Sequence, residues 1–372
     1  MAVLVASAVP AFAHGAQTTS PIHYGKEQID KSVARGVEFL VKDQQPDGSW
    51  GTGRETHGTE VYSMVPGSLD SFRIATSALC VMALRQGEEK AAHDRGLEYL
   101  LAVRDARRDV GDLLYNTWAH IFLLQALAEE MPSNHDPRIR DVAQREIQDL
   151  VRYATYTGGW NYYDFQGRYT DEHVNTQHPT SGPTSFGTAA GLVALYEAKR
   201  AGLHVPEKLT EQALRRLKEM RLPSGTYLYG ADFKYYPRLD ANQPRGAVGR
   251  VQPANYALAL WGWDKLDKQK MRQGLDLFVK DHAFLDMGRK RPIPHESWYQ
   301  TAGYYYYFDH YYASRLFELL DKSDKAKYAP SVIAGVLPHQ EPDGSWWDFP
   351  MWDFHKPYGT AFAIMTLLNC QQ

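Results

Sequence analysis

Apolar residues along this chain recur at three- and four-residue spacing in long segments, separated by polar stretches rich in Gly and Pro. That spacing predicts amphipathic helices. Val33, Val37, Phe39, Leu40 and Val41 mark an outer helix from about Asp30, and an inner helix follows from Ser71. Further outer helices are expected at about 91–104 (Leu97, Leu100, Leu101), 139–156, 208–221 (Leu214, Leu217, Met220) and 268–282. Inner helices begin near 72, 115, 184, 252, 299 and 358, the one at Thr184 capped by Thr or Ser. Six outer–inner pairs at repeats of roughly 40–70 residues predict an all-α fold, an (α/α)6 barrel closed on itself. An open solenoid of helix pairs is the alternative.

Two stretches punctuate this pattern. Gln44 to Gly51 reads QQPDGSWG, and Gln340 to Thr360 reads QEPDGSWWDFPMWDFHKPYGT. Both follow one apolar helix and precede another. Pro-Asp-Gly-Ser is turn chemistry: Pro presets φ, Asp caps, and Gly accepts positive φ. Gln and Trp on either side can tie a helix end to the next loop. Gly158-Gly159-Trp160 is a reduced version, and Pro223-Ser-Gly-Thr-Tyr227 replaces it in the fourth unit. First and last units that match so well favour closure over an open array.

The repeated Gln-x-Pro-Asp-Gly-Ser-Trp resembles the Gln/Trp repeat of squalene–hopene cyclases and protein prenyltransferase β subunits. The resemblance spans about residues 30–369 and implies an α/α toroid. It does not carry those enzymes' chemistry. The Asp-x-Asp-Asp acid of class II cyclases is absent; Asp309 and Asp164 stand alone. The Asp-x-Cys pair of zinc-dependent prenyltransferases is missing, as is the Gly-Cys-Gly-Glu-Gln string of thioester toroids. No metal or cofactor is therefore expected.

Composition narrows the function. With 41 basic and 44 acidic residues, no global field favours nucleic acid. The 24 Tyr, 14 Phe and 9 Trp are more ring surface than a helical core requires, which suggests a lined cavity for a small molecule or oligosaccharide. Met1 to Ala13 is apolar and ends Ala-Phe-Ala, the form of a cleaved leader, so export is expected. The bland reading is a disordered apolar tail. A lead-in over 14–29 and a single domain over 30–372 follow, with no segment of about 20 apolar residues that could span a bilayer.

Alternating outer and inner helices place all six inner N-termini at one end, so the long loops before them form one mouth. Arg245, Arg250, Arg289, Lys290, Arg291 and Lys356 sit in those loops. With six helix N-termini they suit an anionic ligand. They equally suit pairing with Asp232, Asp240, Asp286 and Glu296. Candidate ligand contacts are Tyr115, Asn116, His173, His178, Arg250, Arg289, Arg291, Tyr304, Tyr305, His355 and Tyr358. Candidate catalytic groups are His295, Tyr299, His120 and Asp309, since a His and a Tyr beside an Arg can move protons on an acidic substrate. Tyr304, Tyr305, Phe308, Asp309 and Tyr312 share one face of the helix YYYYFDHYY, where a buried carboxylate needs a partner; His310 faces elsewhere. Cys80 and Cys370, on neighbouring inner helices of a closed ring, could form a disulfide or stay as buried thiols. Three functions stay open: a terpenoid-cyclase-like enzyme with Asp309 as its acid, a lyase or hydrolase of an acidic glycan, and a non-catalytic binding module.

Overall fold

A computed structural model describes residues 24–58, 68–103, 116–161, 168–170, 173–175, 182–291 and 305–371, with side chains undescribed at 168–170 and 173–175. The leader expected over 1–13 lies outside the described residues.

Six outer helices alternate with six inner ones. The pairs are α1 (Lys26–Asp43) with α2 (Ser68–Gln86), α3 (Lys90–Ala102) with α4 (Thr117–Glu130), and α5 (Pro137–Tyr153) with α6 (Ser185–Arg200). Between α5 and α6 a small antiparallel ribbon pairs β1 (Arg168–Thr170) with β2 (His173–Asn175). The next pair is α7 (Glu207–Glu219) with α9 (Val251–Leu260), preceded by the short α8 (Pro244–Ala247). Then come α10 (Lys268–Gly288) with α11 (Tyr306–Arg315), and α12 (Lys322–Val336) with α13 (His355–Gln371). Each inner helix packs on the next, α2 on α4, α4 on α6, α6 on α9, α9 on α11 and α11 on α13, and α13 returns to α2. The ring is closed, and the fold is an (α/α)6 toroid.

Position in the ring explains composition. Outer helix α5 buries one stripe, Ile139, Val142, Ala143, Ile147 and Leu150, and leaves Arg and Gln outside. Inner helix α4 is buried nearly all round, because it touches two inner neighbours, an outer helix and the axis. Asp136 and Thr184 cap α5 and α6 by accepting from the backbone N–H of Arg138 and Gly187.

The Trp turns hold the layers together. The indoles of Trp50, Trp160 and Trp346 are fully buried, and each donates to the carbonyl ten residues earlier: Leu40 (2.7 Å), Leu150 (2.8 Å) and Val336 (2.9 Å). Those carbonyls lie at outer-helix ends, where no helical N–H is left to meet them. The Trp backbone N–H groups donate to hydroxyls of Ser77, Thr188 and Thr360 on the inner helices. Each turn therefore fixes an outer helix to its inner partner. Gln reaches one unit further. Gln44 Nε2 donates to the Ala92 carbonyl of α3, and Gln340 Nε2 to the Ser32 carbonyl of α1 at 2.8 Å. The second bond joins positions 308 apart and fastens the last unit to the first. In the fourth unit residues 222–226 make the same turn, with buried Tyr227 donating to Asn255 Oδ1 at 2.8 Å in place of an indole.

Cys80 and Cys370 are both buried and free. Cys80 Sγ lies 3.7 Å from the carbonyl of Pro357, near the start of α13, whereas Cys370 is near its end. At 1.5 Å per residue the two sit about 20 Å apart in depth along that helix. Neighbouring helices are therefore not enough to bridge them.

Gly48 and Gly344 have φ of 89° and 92°, and a Cβ at either would collide with a carbonyl of the next outer helix, Arg95 or Arg35. Gly225 has φ of 87° in equivalent backbone but only the tip of Arg221 near it. Ala at Gly48 or Gly344 is expected to cost about 1 kcal/mol or more, and visibly more than Ala at Gly225. Chemical denaturation of the three variants checks this; equal losses would show that only φ matters.

Candidate functional site

The barrel axis is crossed by aromatic rings. Helices α4 and α11 stand opposite in the ring, yet Trp118 meets Phe308 edge-on at 5.9 Å between centroids. Trp118 also stacks on Phe122 (5.6 Å) and Phe186 (6.0 Å), and Phe186 meets Tyr305 at 5.0 Å. Phe362 of α13 closes the layer against Phe122 and Phe308. Deeper, Gln125 Nε2 donates to the Tyr311 hydroxyl across the axis at 3.0 Å. At the far end Arg315, nearly buried, pairs with Glu197 at 3.2 Å and Glu318 at 2.6 Å. The barrel is thus filled at the level of this aromatic floor and below it. Among the described residues, the tyrosine-rich central cavity expected from composition is crossed by these side chains at that level.

Two carboxylates flank the first turns of α11. Asp309 is wholly buried, and neither of its oxygens makes a hydrogen bond within the usual distance. Burial holds its pKa well above the usual carboxylate range, against weaker opposing effects of the Gln252 backbone N–H and Arg250. Burial therefore favours its protonated form. Asp348 accepts from the Tyr358 hydroxyl (2.6 Å) and from the Tyr307 backbone N–H (3.3 Å), so it caps α11 from another unit. Burial lifts it to about 6 while the tyrosine bond works the other way. The sequence reading passed over Asp348; its one signal was a carboxylate directly after the Trp pair of the last repeat.

Other expected residues are placed as follows. Asn116 is buried at the start of α4 with both amide atoms unpartnered. Tyr305 lies in the aromatic floor and Tyr358 holds Asp348. His120 faces outward, not toward the mouth: Nδ1 is 2.7 Å from Glu146 of α5, and the ring stacks on Tyr153. A position one turn into α4 was enough to suggest the mouth, but the rotation of the helix decides the direction. His120, Glu146 and Asp149 offer ligand atoms within 4.8 Å of one another, a donor set for a small cation, with Arg145 and Arg152 beside the carboxylates as competing partners.

The cations of the mouth are largely engaged. Arg250 is fully buried in the wall and donates to the carbonyls of Gly246 (2.5 Å), Ala241 (2.6 Å) and Tyr227 (3.3 Å). Arg289 donates to His339 Nδ1 at 3.0 Å and lies over the Tyr306 ring. Arg245 pairs with Asp240, Lys290 with Glu341, and Lys356 with Asp343. Asp232 accepts from the Gly182 N–H, and Asp286 from the Tyr306 hydroxyl. Arg291 is exposed, its Nε donating to the Met287 carbonyl. His355 is buried, with Nδ1 on the Trp352 carbonyl at 2.5 Å and its ring beside His57 and Trp347; burial lowers its pKa to about 4. His310 Nδ1 donates to the Tyr306 carbonyl at 2.6 Å. His173 is in β2, its side chain undescribed. Tyr115, His178, His295, Tyr299 and Tyr304 lie outside the described residues, as do Asp164 and Glu296.

Asp348 binds its proton more tightly folded than unfolded. Between the ordinary value of 3.8 and about 6 the folded chain keeps a proton that the unfolded chain has lost. Its contribution to stability is therefore full below 3.8 and falls as pH rises through 6. Asp348→Asn removes that titration. Whatever its own stability, the variant should lose less than the parent as pH rises from about 4 to about 7. Thermal melts across that window check it, and parallel slopes would contradict it.

No protein-family model matches this chain, and no curated protein matches it. Solved structures do. The type II terpene cyclase MstE from Scytonema is similar at a TM-score of 0.53 and 17% identity, covering 92% of this chain and 97% of that one. Cellobiose 2-epimerase from Spirochaeta thermophila is similar at 0.58 and 14%, covering 92% and 96%. The GH76A α-1,6-mannanase of Salegentibacter sp. HEL1_6 is similar at 0.56 and 10%, covering 92% and 99%. At such identities the likeness is one of fold, and that fold is the α/α toroid.

Proposed function

We propose that this toroid binds an apolar, unsaturated substrate of isoprenoid type on the mouth side of its aromatic floor and acts on it by acid catalysis. The observation that carries this reading is Asp309, a fully buried carboxyl with no hydrogen-bond partner for either oxygen, on the helix that supplies Phe308 to the floor; burial favours its protonated form. A neutral acid in a dry site can give its proton to a carbon–carbon double bond, leaving a carboxylate and a carbocation. The Gln252 N–H and Arg250 would then stabilise the carboxylate. The faces of Trp118, Phe186 and Phe308 would stabilise the cation, since aromatic faces carry partial negative charge. Loss of a proton from a neighbouring carbon returns the acid and completes an isomerisation or cyclisation.

Engagement of the described mouth cations with carboxylates and carbonyls supports an uncharged ligand over an anionic one. The fold neighbour MstE is a type II terpene cyclase with a structure in complex with geranylgeranyl dihydroxybenzoate, which makes this substrate class the first to try. The residues before inner helix α11, with His295 and Tyr299 among them, are the place to look for further proton-moving groups.

The test is incubation of the full chain with acyclic polyenes such as geranylgeranyl phenols, products being read by mass spectrometry and binding by tryptophan fluorescence. Asp309→Asn should lower turnover by 100-fold or more, on the order of a lost general acid, while binding stays unchanged. Trp118→Ala should weaken binding. Equal turnover by Asp309→Asn and parent would remove Asp309 from the chemistry. Cleavage of oligouronates, with polyenes untouched, would install the acidic-glycan reading instead.

A further inference from the structure

Between the two layers of the fifth unit, a pair of histidines meets nitrogen to nitrogen. His282 is on outer helix α10 and His310 on inner helix α11, and Nε2 of one lies 3.0 Å from Nε2 of the other. The rings stand nearly perpendicular, at 88°. The two positions are 28 apart in the chain, so no spacing motif announces them. His310 turns to the outer layer, against Phe278 of α10 and Gly335 of α12, whereas Asp309 beside it in sequence turns toward Gln252.

The remaining ring nitrogens fix where the protons are. His310 Nδ1 lies 2.6 Å from the Tyr306 carbonyl, which can only accept, so this nitrogen carries a proton. His282 Nδ1 lies 2.9 Å from Asp286 Oδ2. Burial alone would raise the pKa of Asp286, but hydrogen bonds from His282 and Tyr306 bring it below the ordinary value. Asp286 thus accepts as a carboxylate, and His282 Nδ1 carries a proton too. Burial, then the neighbouring His282, push the His310 pKa well down, which favours a neutral ring. A lone pair is left on each Nε2, and the two face each other at close range. They repel unless a positive charge lies between them.

We propose that His282 and His310 form a binding site for a divalent d-block cation of the zinc or copper type, held through both Nε2 atoms. Histidines that ligate metals characteristically donate their other N–H to a carbonyl or carboxylate, which sets tautomer and ring orientation. Both rings do so here, one to Tyr306 and one to Asp286. Imidazole donors suit zinc, copper and nickel, whereas magnesium and calcium favour oxygen. Bonds of about 2.0 Å in a tetrahedral site put two nitrogens about 3.3 Å apart, so the rings need part by only a few tenths of an ångström. Gly335 of α12 packs directly over the pair: a Cβ there would lie 2.2 Å from His310 Nε2 and 2.9 Å from His282 Nε2. On the other hand, the His282 and Asp286 side chains reach the surface, which gives an ion a path and leaves room for water as the remaining ligands. Asp286 supplies negative charge behind His282, and the cation at the end of α10, Arg289, donates to His339. An ion here would join α10 to α11 between the layers. The site is separate from the aromatic floor and does not depend on acid chemistry at Asp309.

The untagged full chain, stripped with a chelator and desalted, is titrated with zinc chloride against a chromophoric indicator. It should take up one zinc per chain, and its thermal midpoint should rise with zinc. His282→Gln and His310→Gln should each lower the affinity by about tenfold or more, and Asp286→Asn on the order of tenfold by releasing the His282 ring. His310 is buried, so its variant counts only while its melt stays cooperative; His282 is half-buried, and its variant carries the test alone if need be. Copper(II) on the parent should show electron-spin splitting from two nitrogens, and from one in His282→Gln. Asp309→Asn and His120→Gln should bind zinc like the parent. Loss of zinc in His120→Gln with retention in His282→Gln moves the ion to the set made with Glu146 and Asp149 and overturns the proposal. So does absence of zinc uptake, or equal uptake by the parent and both histidine variants, which leaves only a proton between the two rings.

Discussion

The indole-to-carbonyl bond made by Trp50, Trp160 and Trp346 is the constraint on which the other parts of this toroid depend. A two-layer ring has a specific difficulty: each outer helix ends next to the interior, with carbonyls that no helical N–H satisfies. A buried tryptophan solves two problems at once. Its ring fills the gap between layers, and its single N–H meets a carbonyl that would otherwise be buried without a partner. The positive-φ glycine two positions earlier lets the chain reverse tightly enough to bring the ring there. The glutamine then ties the turn to the next unit, and at Gln340 the next unit is the first one. Ring closure is therefore made by the same bond that ties the first unit to the second, applied to residues from opposite ends of the chain.

Closure shapes what the interior can hold. Six inner helices leave an axis that side chains from opposite walls can reach, as Trp118 and Phe308 do. Filling the axis with rings stabilises the barrel and gives the mouth a floor. Below that floor the polar groups answer one another, with Arg315 among Glu197, Glu318 and the Tyr311 hydroxyl. Buried charge of this kind is held by mutual pairing and adds little net stability. Asp309 differs because no comparable partner is supplied, and burial pushes its pKa upward. Unanswered polarity is concentrated toward the mouth, and that asymmetry separates a site from a packed core.

The two faces of the ring differ for a related reason. Returns from inner to outer helices are short and close quickly. Loops from outer to inner helices must cover the rim, and they carry the exposed tyrosines and cations. Loops on a rigid scaffold can present such side chains at little expense in stability, because the layers beneath are already fixed.

Sequence alone determined the helix pairs, the Trp turns and closure. Those features are local: a stripe repeating every three or four residues, and Pro-Asp-Gly-Ser between Gln and Trp, work through neighbours in the chain. The same reasoning placed Asp309 and Tyr305 on one face of their helix, because helical angles follow from numbering. It could not decide what each face meets. His120 turned to Glu146 of an outer helix, and Arg250 turned into the wall to bind three carbonyls. The buried role of Asp348, capping a helix from another unit, had no counterpart in periodicity. Rotation of each inner helix about its own axis, and the path of each loop, are set by packing between residues far apart in the chain. Only the assembled ring fixes them, and with them which polar groups are paired and which are left for a ligand.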